Sequence, residues 1–249
     1  MRRAVAKIKP KAGFSKFVHW ALVLVLPMLV FIFVRWNILP LAYLVVLLSK
    51  WRMFAVRPRH WPANIRANAI DIIVGLSFVV FMAQAPTQAW QLVWLLGYEI
   101  WLLSVKPRSD MFWIAIQAGL GQFLGLTALY LLWGQSSLLL LVIASWCICY
   151  LAARHFFSSF DEPLNSMLSH IWGYVGAALT WVLGHWLLYY GFLAQPVLLL
   201  SLIGYSLATM YYLENNDKLS ALVRREILLI MSAIILVIIL FSDWGDKAV

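Results

Sequence analysis

Asp71 lies early in the apolar run 67–84, and Glu99 lies within the next run, 87–105. An ionisable side chain inside a membrane span costs ~2.5–3.5 kcal/mol on insertion scales, so a retained one is a candidate for function. If the two runs form a helical hairpin, both acids fall in the inner third of the membrane. The hairpin then brings them toward each other and toward Arg57, Arg66 or Arg108. Two close carboxylates resist ionising together, so one keeps its proton. That suits a proton carrier or a general base. The plainer alternative is that each acid pairs with a neighbouring Arg or Lys and only sets helix register. Lys106 follows Glu99 by seven residues.

A second group gathers at the same face: Arg154, His155, Asp161, Glu162 and His170. Asp71, Glu99, His170, Asp161 and Glu162 together make a candidate inner-face polar site. Arg57, Arg59, Arg66, Lys106, Arg108 and Arg154 are candidate contacts for an anionic headgroup. His170 and His185 stand 15 residues apart, ~22 Å along one helix, a spacing at which two haems can be ligated. Each haem needs another axial ligand, and only His19 or His155 is placed to supply one, so no cofactor is expected. With Tyr174, Ala177, Ala178, Trp181 and Tyr189, the two histidines form a stripe that suits a helix–helix face or a cleft.

Other chemistry lacks its residues. The chain has no phosphate-cradling glycine loop, no H-E-x-x-H, no G-x-S-x-G and no zinc spacing. No lysine stands in the middle of a run to form a Schiff base. Cys147 and Cys149 project ~200° apart on a helix, so they read as small buried hydrophobes rather than a disulfide or metal pair.

The elements that must carry these residues are membrane helices. Of 249 residues, 64% are hydrophobic and 12% charged, with a mean hydropathy of +0.86. That much apolar surface cannot be hidden in one soluble globule. The expected fold is an all-α polytopic bundle of about nine spans: 17–34, 36–50, 67–84, 87–105, 111–133, 136–154, 166–189, 195–213 and 223–242. Residues 1–16 are a basic cytoplasmic segment, 17–242 one transmembrane domain, and 243–249 an external tail. The run after residue 16 is longer than a signal-peptide core and reads as a retained span. Span 36–50 is short and holds Pro40, so it either crosses or re-enters.

Charge decides in favour of crossing. With nine spans and the N-terminus inside, 17 Lys and Arg lie inside and two, Arg35 and Lys247, outside. The net charge of +9 therefore reports orientation in the inner (plasma) membrane, not nucleic-acid binding. Trp36, Trp51, Trp61, Trp90, Trp133 and Trp244 sit near span ends, where an indole anchors at the interface. Val56-Arg57-Pro58-Arg59 and Val105-Lys106-Pro107-Arg108 hint at a repeat of helical hairpins. Gly121-x-x-x-Gly125 permits close helix approach, with Gln117 and Gln122 expected to hydrogen-bond to neighbours.

Three functions compete. A non-catalytic scaffold or subunit of a membrane complex fits the scarcity of intramembrane polar groups. A small transporter or lipid-handling protein fits Asp71 and Glu99. An enzyme acting on a lipid at the inner leaflet requires the polar residues to converge on one cavity. In each case anionic lipids are expected at the basic face, and a membrane-protein partner is expected under the first.

Overall fold

The computed structural model describes residues 14–160 and 162–242; Asp161 and Trp244 lie outside the described residues. The described residues form nine α-helices: α1 Phe14–Arg35, α2 Leu39–Leu48, α3 Trp61–Gln84, α4 Gln88–Ile100, α5 Met111–Trp133, α6 Leu138–Phe157, α7 Asn165–Leu183, α8 Gln195–Asn215 and α9 Ala221–Leu240. By length and composition, four stretches are able to cross a membrane: Pro58–Gln84, Met111–Trp133, Leu138–Phe157 and Gln195–Asn215. Large apolar side chains are exposed along most helices, as in a membrane protein.

Local chemistry sets the helix ends. Asn37 takes a left-handed φ of 59°, and Ile38 N donates to Phe33 O at 2.8 Å, closing a Schellman cap on α1. Asp217, with φ 55°, does the same after α8, where Lys218 N donates to Leu213 O at 2.8 Å. Thr87 and Ser220 cap α4 and α9 through their hydroxyls. Between α7 and α8 a small hairpin pairs β1 (Tyr189–Tyr190) with β2 (Leu193–Ala194), and Gly191 at φ 65° makes its turn.

Short links turn the chain back at each helix end. One end of the bundle carries the connections 49–60, 106–110, 158–164 and 216–220, and the other carries 36–38, 85–87, 134–137 and 184–194. Lys50, Arg57, Arg59, Lys106, Arg108, Lys218 and the flanking Arg66, Arg154, Arg224 and Arg225 all belong to the first end. Arg35 belongs to the second.

Three element boundaries differ from the sequence expectation. Pro40 lies in the first turn of α2 rather than inside it, because proline suits that position, and α2 has only ten residues, ~15 Å of helix. The chain then continues irregularly along α3, where Asn64 Nδ2 donates to Met53 O and Trp61 Nε1 to Val56 O. These side chains satisfy carbonyls that a helix would have paired. The run 87–105 is α4 followed by one π turn, Trp101–Val105. The run 166–189 stops as α-helix at Leu183, so His185 lies in a separate 3₁₀ turn, Gly184–Trp186. The stripe joining His170 to His185 is therefore broken.

Two buried clusters share the central helices. One gathers Val30, Val46, Val74, Phe78, Phe81 and Tyr98 from α1–α4; the other gathers Leu126, Tyr130, Cys149, Val197 and Leu200 from α5–α8. The Gly121-x-x-x-Gly125 ridge of α5 receives Ile70 and Ile73 of α3: a Cβ at Gly121 would lie 2.8 Å from Ile70 Cγ2. Gln122 accepts from Trp172 Nε1 at 2.7 Å and donates to Leu200 O at 3.1 Å, tying α5 to α7 and α8. Cys149 is fully buried where α6 meets Gly176 of α7, while Cys147 is half-buried. We expect Cys149 to resist N-ethylmaleimide in folded, detergent-solubilised protein and to react at the rate of Cys147 only after denaturation. Equal rates in the folded protein, read by peptide mass, would contradict this packing.

Candidate functional site

Asp71 sits ten residues into α3 and faces two lysines from flanking elements. Lys50, in the turn after α2, places Nζ 2.7 Å from Asp71 Oδ2. Lys106, just after the π turn, places Nζ 3.3 Å from the same oxygen. The Lys50 and Asp71 side chains are 12% and 18% exposed, and that of Lys106 is 36%. The pair with Lys50 is therefore mostly withdrawn from water, where an ion pair is stronger but its desolvation cost is higher. Two cations on one carboxylate leave a net positive charge at this end of the bundle.

Gln117 of α5 holds the lysine-bearing turn in place. Its Nε2 donates to Val105 O and to Arg108 O, both at 2.8 Å. Its Oε1 lies 3.1 Å from His155 Nε2 on α6. An amide oxygen only accepts, so His155 donates from Nε2 in this arrangement. Gln117 is buried. It joins α5 and α6 to the turn that aims Lys106 at Asp71. Replacing it by Leu should leave Arg108 O and the His155 N–H without this partner, at about 1–3 kcal/mol per stranded group, while Val105 O keeps Arg108 N at 3.3 Å. Gln117→Leu is thus expected to lower the melting temperature and to speed hydrogen exchange across 106–110. Unchanged exchange there would argue against the clamp.

The other candidate residues do not join this cluster. Glu99 is half-buried on α4 and has neither an ion pair nor a hydrogen bond to Asp71 among the described residues. The expected partners of the acids, Arg57, Arg66 and Arg108, lie elsewhere. Arg66 Nε bonds Pro62 O at 3.1 Å on its own helix, and Arg59 Nε bonds His60 Nε2 at 2.9 Å. Arg57 is exposed. Arg108 stacks over Trp113, with Cζ 3.9 Å from the ring centroid. The reason is geometric: Asp71 faces α2 and the end of α4, while Arg57, Arg59 and Arg66 stay exposed around the start of α3.

A second polar group lies between α6, α7 and α8. Arg154 reaches Asn165 Oδ1 at 3.3 Å, and Ser169 bonds both Asn165 oxygens. Glu162 accepts from the Tyr211 hydroxyl and, at 3.3 Å, from Leu164 N. Phe156, Phe157 and Phe160 each pack edge-on against Tyr211. The loop 158–164 is thus fastened to α8. His170 stands apart from both groups, with Nδ1 2.7 Å from Ser166 O and its ring 4.7 Å from that of Tyr150.

Sequence reasoning misses Lys50 and the clamp of Gln117 on Lys106. Lys50 is 21 residues from Asp71, and it stands at the end of a short span with no sign in the sequence of which way it points. Gln117 shows only that a polar group needs a partner. Among the described residues, no group of three or more His, Cys, Asp or Glu is arranged to hold a metal. Compared with protein-family models, curated proteins and solved structures, the chain matches none.

Proposed function

We propose that this chain is a nine-span protein of the inner (plasma) membrane, with its N-terminus inside and its C-terminus outside. It acts without catalysis, as a scaffold or subunit of a membrane complex. The observation that supports this is the engagement of Asp71 by Lys50 and Lys106. That carboxylate oxygen is already occupied by two ammonium groups, which is how an intramembrane charge ties helices together. Glu162, His170 and Arg154 are each engaged locally with other partners. An enzyme acting at the inner leaflet would need these residues to share one site, and among the described residues none of them has a hydrogen bond or ion pair to Asp71.

Two measurements test the proposal. In a variant with Cys147 and Cys149 replaced by Ser, single cysteines at residues 55 and 218 should react with an impermeant maleimide only from inside. Single cysteines at 85 and 136 should react only from outside. Labelling of 55 and 85 from the same side would overturn the nine-span reading. Purification from native membranes in mild detergent should yield a second membrane polypeptide at fixed stoichiometry. A solitary chain with no such subunit would overturn the scaffold reading. A transporter or lipid-handling protein is the second reading, favoured by the half-buried Glu99 without an ion pair among the described residues. It predicts that Glu99→Gln abolishes uptake or lipid transfer in proteoliposomes.

A further inference from the structure

Helix α9 buries none of its side chains. It is fastened to the bundle at its far end, where Tyr190 bonds Ile238 O at 3.1 Å and Gln195 bonds Ser242 Oγ at 2.8 Å. At its near end a shallow, open depression of about 350 Å³ lies along Ala221, Arg224, Arg225, Leu228, Leu229 and Ser232, all of them on α9 itself. These positions recur every three or four residues, so they form one face running three turns along the helix. Two guanidiniums stand at one end of that face, and two leucines and a small serine, all exposed, follow further along the helix. Neither Arg224 nor Arg225 has an ion pair among the described residues, and both are exposed. Glu226 follows at once in sequence but projects from another face of the helix.

We propose that this face is a binding site for an anionic phospholipid. It rests on the reading of α9 as a membrane-spanning helix whose first turns meet the basic side of the bilayer. The charge pattern matches the amphiphile. A guanidinium offers a planar fork of N–H donors to phosphate oxygens, and two forks together suit one phosphate group. From Arg224 to Ser232 the helix rises ~12 Å, so the leucines lie at the depth of the first methylenes of the acyl chains. Being open, the depression meets one side of the ligand rather than enclosing it as a pocket would. It holds a headgroup and the start of its chains, while the rest of each chain lies in the bilayer. The lipid would also cover the exposed side of a helix whose other side is half-buried along Val223, Ile227, Met231 and Ile235.

The test is native mass spectrometry of the full chain from detergent supplied with phosphatidylglycerol or phosphatidylcholine. Wild type should retain one phosphatidylglycerol over phosphatidylcholine. Arg224→Gln with Arg225→Gln should lower that retention at least fivefold. Ser232→Phe, which puts a bulky ring on that face and leaves both charges, should lower it similarly; bulk attraction to a basic surface predicts no change from that variant. Retention unaffected by either variant overturns the proposal. So does full competition by millimolar inorganic phosphate, which would make the ligand a free anion, or a lipid-free dimer lost in the Ser232→Phe variant, which would make the occupant a second copy. Maleimide labelling of single cysteines at 220 and at the exposed position 241 separates the two readings. If they react from opposite sides and lipid is still not retained, the site fails while the span stands.

Discussion

Asp71→Asn is expected to lower the stability of the folded protein by about 2–4 kcal/mol, somewhat under the ~3–5 kcal/mol for breaking a fully buried ion pair because this one is partly exposed. The loss has a clear origin. Lys50 Nζ lies 2.7 Å from the carboxylate and its side chain is only 12% exposed. Without the carboxylate, Lys50 and Lys106 are left as neighbouring positive charges. Lys106 is 36% exposed and can turn toward solvent or headgroups; Lys50 has less freedom. The turn after α2 and the end of α4 should therefore separate from α3. Melting followed by tryptophan fluorescence in detergent, with size exclusion to score monodispersity, reads the effect. A compensating variant sharpens it. Asp71→Leu combined with Lys50→Met removes the pair as a unit, and apolar groups of similar size often replace such pairs at no loss. The double variant should be more stable than Asp71→Asn. A melting temperature for Asp71→Asn equal to wild type would mean that the ion pair does not hold these helices together.

The second large effect is steric. A Cβ at Gly125 would lie 2.5 Å from Ile73 Cγ2 on α3 and 3.2 Å from Ile148 Cγ2 on α6. Both neighbours are branched at Cβ and stiff, so neither swings away cheaply. Gly125→Val should force α3 and α5 apart, with an overpacking cost of about 1–3 kcal/mol or somewhat more at this three-helix contact. Gly119 lies on the same helix, and a Cβ there would meet nothing within 4 Å. Gly119→Val should leave the melting temperature close to wild type, which controls for valine in the helix. Ile73→Ala should recover part of the loss in the Gly125→Val background by opening the space the new side chain needs. Equal melting temperatures for Gly119→Val and Gly125→Val would remove the close crossing from the account of stability.

Much of the framework is legible in the sequence because it depends on local or periodic properties. Each apolar run is a helix since a chain with few polar side chains must pair its own backbone, and the α-helix does this within the run. The basic residues cluster at one end because consecutive helices reverse direction. Gly121 and Gly125 mark a close approach because both lie on one ridge without side chains. Boundaries are less secure where the chain leaves the helix for reasons outside the run. The irregular stretch after α2 depends on Asn64 and Trp61 of the next helix, and the early end of α7 precedes a turn and hairpin that pack elsewhere.

The partners of the polar groups are not legible, for a single reason. Helix periodicity tells which residues of one helix share a face, but not which helix that face meets. Hairpin register alone pairs Asp71 with Glu99, yet α3 turns Asp71 toward Lys50 and Lys106, and Glu99 has no ion pair among the described residues. In the sequence Glu162 is one more charge at the inner surface; in the fold it anchors a loop through Tyr211, 49 residues away. The amino-acid sequence alone determined that the chain is built of apolar helices, where most of them begin and end, and which end of the bundle is basic. Those follow from hydropathy, capping and charge, which act over a few residues. Only the tertiary structure decided that Asp71 is held between two lysines and that Gln117 clamps the turn bearing one of them. It alone shows that α9 has no fully buried side chain and carries two arginines that have no ion pair among the described residues. Those depend on how helices rotate and pack against partners distant in the chain, and one-dimensional spacing carries no record of that rotation.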